Sequence, residues 1–201
     1  EMCIRDRLDG TIHGGDEVTA SVDEKRRAAI CRNHTATHLL QKALREVLGE
    51  HVHQAGSYQD DRITHFDFTH FSAVSPAELA EVERRVNEKI YEALPVTVKN
   101  LPIEEAKKMG AMALFGEKYG SVVRVVDAGG WSTEFCGGTH VTNTAQIGCF
   151  KILSESSVAA GIRRIEATTA FGVLDLLDDR TETLAKTAVA LKANNLKDAP
   201  A

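Results

Sequence analysis

The stretch DEKRRAAICRNHTATHLLQKALREVLG, residues 23–49, decides the fold because it reads as one long amphipathic helix. The Asp23 carboxylate can accept from free amides of the first turn. Ala29 or Ile30, Leu40, Ala43, Leu44 and Val47 then recur at helical spacing until Gly49 stops the run. Downstream, two strands are expected around Val52–Tyr58 and Arg62–Phe68, with Asp60-Asp61 at the turn and Phe66 and Phe68 on one face. Ser75-Pro76-Ala77-Glu78 places a hydroxyl at the N-cap, proline at the first helical position and a carboxylate three residues after the cap, so a second helix runs to about Leu94.

Farther along, Val96–Lys99 reads as a short strand, Ile103–Phe115 as a helix with a break at Gly110, and Val122–Val126 as a buried strand. Gly148–Ser154 and Arg163–Thr168 are two more strands. A terminal amphipathic helix follows from about Phe171, carrying Leu174, Leu177, Leu184 and Leu191. This irregular order with hairpin-like neighbours indicates an α+β, two-layer domain in which helices pack a mostly antiparallel sheet. Upstream, Glu1–Arg7 fits no element and reads as a non-native leader. A turn at Gly14-Gly15-Asp16 and a strand with Val18, Ala20 and Val22 on one face read as the remnant of a preceding β segment. The expected division is 1–22 for leader and remnant, 23–170 for the main domain and 171–201 for a helical linker.

At 201 residues and 43% hydrophobic, the chain can bury a core. It has neither a membrane-length apolar run nor a signal-peptide pattern, so a cytoplasmic location is expected. Cys3, Cys31, Cys136 and Cys149 are too few and too scattered for a disulfide framework, which favours free thiols or metal ligands. The net charge of −5 argues mildly against nonspecific nucleic-acid binding. The basic clusters Lys25-Arg26-Arg27, Lys107-Lys108 and Arg163-Arg164 read first as solvated faces.

Two short runs carry chemistry. His34 and His38 lie four residues apart on the long helix, so their imidazoles project from one side, although such pairs also arise by chance. In STEFCGGTH, residues 132–140, Cys136 and His140 are also four apart, separated by two glycines that let the backbone fold tightly. Three nitrogens and one soft sulfur suit zinc. A buried structural thiol, or a Cys136–His140 nucleophile and base, are the competing readings.

RNHTATHLL (32–40) and CGGTH (136–140), together with GAMALFGEKYG (110–120) and GIRRIEA (161–167), closely resemble the editing domain of alanyl-tRNA synthetases and their free-standing relatives. The resemblance covers about Leu8 to Gly172. Threonyl-tRNA synthetase editing domains resemble this one in their zinc-type ligand pattern, but the GAMALFGEKYG (110–120) and CGGTH (136–140) runs are alanyl-like. The resemblance implies Zn2+ held by His34, His38, Cys136 and His140, and hydrolysis of tRNA(Ala) mischarged with serine or glycine. ATP and Mg2+ would serve only a catalytic domain absent from this chain. It also implies a serine-recognising hydroxyl at Thr37, a polar pocket residue at Gln54 that orients substrate or water, and Arg163 on the 3′ end of the tRNA. Asp67, His70 and Glu134 are further polar candidates, each read first as solvated or structural. A free-standing trans-editing deacylase, an inert tRNA-binding module with structural zinc and a generic metallohydrolase are the rivals. The sequence leaves the oligomeric state open.

Overall fold

Asp23 caps the first helix, α1 (Glu24–Leu48), by accepting the Arg26 amide at 3.0 Å, and Gly49 ends it with φ 115°, a conformation that favours glycine. The computed structural model describes residues 10, 11, 13–112 and 119–192. The expectations for Glu1–Arg7, for Ala113–Lys118 of the GAMALFGEKYG motif and for residues 193–201 fall outside that range.

After α1 comes the hairpin of β1 (Gln54–Gln59) and β2 (Thr64–Thr69). Its turn is closed by Asp60 Oδ1, which accepts the amides of Arg62 at 2.8 Å and Ile63 at 2.9 Å. Phe66 and Phe68 share a face and are fully buried. Helix α2 (Pro76–Tyr91) opens with the expected reciprocal cap: the Glu78 amide donates to Ser75 Oγ, and the Ser75 amide to Glu78 Oε2. The remaining elements are β3 (Val96–Pro102), α3 (Ile103–Lys108), β4 (Val122–Ala128), β5 (Ser132–Phe135), a 3-10 turn (Thr144–Ile147), β6 (Phe150–Ala159), β7 (Ile162–Thr169) and α4 (Phe171–Ala190).

The strands form two antiparallel sheets, ordered β1-β2-β7-β6 and β3-β4-β5, so the class is α+β as expected but the sheet is divided in two. Helix α1 ties the halves together. Its Leu39, Leu40 and Leu44 belong to one core with Val82, Val86 and Ile90 of α2, Phe66, Phe68 and Ile165 of the larger sheet, and Val126 and Ala128 of the smaller. Each large apolar side chain fully buried this way contributes about 1.5–3 kcal/mol. A smaller cluster of Ala106, Val123, Val125 and Phe135 sits beneath α3.

Three details differ from the sequence expectation. Strand β5 was not anticipated, because a four-residue run ending in STEF shows no alternation long enough to read. The helix expected over Ile103–Phe115 stops at Lys108, and Gly110, with φ 74°, turns the chain away. No strand forms at Val18–Val22: both valines are exposed, and no described strand lies beside them to complete a ladder. Helix α4 does form where a terminal amphipathic helix was expected, and its leucines stay largely exposed.

Candidate metal centre

Helix α1 presents His34 and His38 on adjacent turns, and the loop after β5 presents Cys136 and His140. The ligand atoms of all four lie within 4.8 Å of one another. Cys136 Sγ is 3.5 Å from His34 Nε2 and 3.3 Å from His140 Nε2. The imidazole centroids are 4.3 Å apart for His34–His140, 4.6 Å for His38–His140 and 5.3 Å for His34–His38. The glycines of the loop explain this closeness. A Cβ at position 138 would collide with the His34 ring, so only glycine lets the loop approach the helix. The Gly138 amide also points at Cys136 Sγ at 3.4 Å, a contact that favours thiolate.

Residues outside the two motifs hold the loop and the rings. Arg124 on β4 donates from Nη1 to the carbonyls of Cys136 at 2.6 Å and Gly138 at 2.8 Å, clamping both ends of the Cys-Gly-Gly turn. Each imidazole has an outer partner. His34 has a backbone hydrogen bond with Thr139. His38 Nδ1 lies 3.6 Å from Glu134 Oε2, both groups being buried. His140 Nδ1 lies 3.2 Å from Thr35 Oγ1. Such partners orient metal-ligating rings. Arg124 and Thr35 were missed in the sequence because an arginine in a strand and a threonine in a helix carry no signature. Glu134 was named there as a polar candidate, with a solvated or structural role favoured.

Burial sets the charge states of these side chains. It lowers His34 to about 4 and His140 to about 3, and holds His38 well below its usual range, with the neighbouring imidazoles and Arg124 adding to the effect. It also raises Glu134 to about 8 and pushes the Cys136 thiol up. At neutral pH the three imidazoles are therefore neutral, the form that ligates a metal. The thiol is the one donor that must lose a proton as an ion enters. Three neutral nitrogens and one sulfur at this spacing fit a tetrahedral zinc shell.

The other sequence candidates lie elsewhere, and no hydrogen bond among the described residues joins Thr37, Gln54 or Arg163 to the four ligands. Thr37 is buried between α1 and the hairpin. Its Oγ1 donates to the Asn33 carbonyl at 2.9 Å and lies near Thr64 Oγ1 and Gln59 Nε2. Gln54 stands at the start of edge strand β1, bonded to Ser57 Oγ at 3.2 Å. Arg163 on β7 pairs through both guanidinium arms with Glu155 of β6, at 2.7 Å for the Nη2 arm. Its neighbour Arg164 pairs likewise with Asp67, while Arg26 and Lys107 also have carboxylate partners. His70 Nδ1 meets His51 Nε2 at 2.8 Å.

Residues 123–166, which include Arg124, Glu134, Cys136 and His140, match the family model of the threonyl and alanyl tRNA synthetase second additional domain. Along nearly its whole length the chain is also similar to proteins named alanine–tRNA ligase. It is 56% identical over 186 residues to that of Acetivibrio thermocellus, covering 92% of this chain and 21% of the relative. With that of Bacillus subtilis it is 53% identical over 191 residues, covering 95% and 22%. With that of Halalkalibacterium halodurans it is 52% identical over 192 residues, covering 96% and 22%. The chain thus spans about a fifth of the length of these relatives. No helix of the described residues is long and apolar enough to cross a membrane.

Proposed function

From the premise that this chain is an editing-domain segment of the alanyl-tRNA synthetase family, we propose that it binds zinc through His34, His38, Cys136 and His140 and hydrolyses the ester of serine or glycine wrongly joined to tRNA(Ala). The observation that carries this reading is the convergence of one thiol and three neutral imidazoles from two distant segments of a chain so similar to alanine–tRNA ligases. Residues 23–170 would be the editing unit and 171–201 its link to another domain. The segment would work in the cytoplasm, and adenylation with ATP and Mg2+ would belong to a different part of the parent enzyme.

The physical need for such a site is plain. A pocket shaped for alanine cannot shut out glycine, and it rejects one added hydroxyl only weakly, so a second hydrolytic site has to sort the products. Bound at the four donors, zinc would supply Lewis acidity for ester hydrolysis. The chain's own residues would do the sorting and positioning. Thr37 Oγ1 spends its proton on the Asn33 carbonyl, so it meets a substrate hydroxyl as an acceptor. Gln54, with a primary amide at the sheet edge, would orient substrate or water. For Arg163 to hold a tRNA phosphate, the phosphate must displace Glu155 from the fork.

The donor count supports a second reading. Four protein ligands close a tetrahedral shell in the manner of structural zinc, which would pin α1 to the Cys-Gly-Gly loop and leave the chain a tRNA-positioning module. Metal analysis of the purified protein, with deacylation assays on seryl-, glycyl- and alanyl-tRNA(Ala), separates the two. Editing predicts stoichiometric zinc and release of serine and glycine with alanine spared, abolished in Cys136→Ala. Stoichiometric zinc without turnover would leave only the positioning role.

A further inference from the structure

We propose that Thr35 is a positioning residue of the metal centre: its hydroxyl fixes the tautomer of His140 and locks the helix carrying two ligands to the loop carrying the other two. The proposal builds on the zinc reading above but stands on separate geometry. Thr35 lies between the two helix ligands in sequence, is almost fully buried, and its Oγ1 has three neighbours. The Cys31 carbonyl, at 2.8 Å, can only accept, so the single hydroxyl proton goes there. The Val141 amide, at 3.1 Å, can only donate, so it takes one oxygen lone pair. His140 Nδ1, at 3.2 Å, faces the remaining lone pair and has to donate to it. A hydroxyl has one proton and two lone pairs, so the three contacts close only if Nδ1 of His140 carries the ring proton. In the neutral ring Nε2 then keeps its lone pair, and this is the atom 3.3 Å from Cys136 Sγ, inside the four-ligand cluster.

The same oxygen does mechanical work. Cys31 and Thr35 belong to α1, whereas His140 and Val141 follow the Cys-Gly-Gly turn, so one buried side chain joins segments more than 100 residues apart in sequence. With Arg124 holding the loop from the β4 side, the four-ligand cluster is braced from both directions.

Two substitutions test this. Thr35→Val keeps the shape and removes the hydroxyl, whereas Thr35→Ser keeps the hydroxyl and loses a methyl. Zinc affinity is read by competition with a chromophoric chelator, and the His140 tautomer by 15N–1H correlation spectra of the metal-free protein at neutral pH. Zinc binding is expected to weaken about 10- to 100-fold in the valine variant and to recover to within about threefold of wild type in the serine variant. The wild-type and serine proteins should show the ring proton on Nδ1, and the valine protein a mixture of tautomers. A wild-type ring protonated on Nε2, or a folded valine variant with unchanged zinc affinity, overturns the proposal. If the valine variant fails to fold, the wild-type tautomer still decides. If the wild type binds no zinc, the metal reading fails while the tautomer result continues to test Thr35.

Discussion

Helices α1 and α4 carry the same kind of sequence, leucines at helical spacing over 25 and 20 residues, and meet opposite fates. In α1 the centre of the apolar face is covered: Leu39, Leu40, Ala43 and Leu44 have no exposed surface and belong to one core with α2 and both sheets, while Ile30, Val47 and Leu48 towards the ends are half-buried. In α4, Leu174, Leu177 and Leu184 are 52%, 56% and 37% exposed, and among the described elements its main neighbour is β7. Periodicity therefore marks a face suited to burial, and only a complementary surface turns it into stability. The same contrast separates polar groups. Along α1, Asn33, Thr35 and His38 are buried and paired, and leaving any of them unpaired would cost about 1–3 kcal/mol, whereas Arg32 Nε and Gln41 Oε1 on the same helix are buried with no hydrogen-bond partner among the described residues.

The sharpest test of this contrast is truncation on each helix. Leu40→Ala removes a fully buried side chain at the junction of both sheets and should destabilise the protein by about 2–5 kcal/mol in urea unfolding. A loss below about 1 kcal/mol would show that α1 is not the organising element.

The next effect is acid sensitivity of chelator-treated protein, to which the buried imidazoles of α1 and its loop should contribute most. His34 and His140 have folded values of about 4 and about 3 against 6.5 unfolded, so below pH 6.5 the unfolded chain takes up protons that the fold refuses. Stability is then fully present above pH 6.5 and falls as pH drops towards 4, each imidazole contributing about 1.4 kcal/mol per pH unit. Glu134, raised from 4.5 to about 8, acts in the opposite sense: the folded carboxyl keeps its proton, so its contribution weakens the fold as pH rises from 4.5 to 8. Thermal melts of chelator-treated protein should show a net loss on acidification from pH 6.5 to 5. Glu134→Gln, which cannot titrate, should make that loss steeper. A flat profile would mean that the imidazoles are not held neutral by burial.

The smallest effect is expected on α4. Leu177→Ala should change stability by less than about 0.5 kcal/mol, since the side chain already sees solvent. A cost near that of Leu40→Ala would reveal a partner surface on that helix under the assay conditions.

Much of the architecture was legible because its signals are local. Asp23 and Gly49 bracket α1, the Ser75–Glu78 cap opens α2, and Asp60 closes the β1–β2 turn, each through atoms within a few residues. The four candidate ligands were legible for the same reason, as pairs spaced four residues apart with glycines between the second pair. Strand β5, the end of α3 and the missing strand at Val18–Val22 were not, since each depends on whether a neighbouring backbone is there to bond.

By itself, then, the sequence determined the α+β class, most of the elements and the two half-sites, because caps, turns and periodicity act over one or two helical turns. Tertiary structure alone decided that the strands split into two sheets bridged by α1, that Arg124, Glu134 and Thr35 surround the ligands, and that the leucines of α4 stay in solvent. These outcomes rest on contacts between residues tens to more than a hundred positions apart, and a hydrogen bond or a buried face exists only once the fold has brought its partner into place.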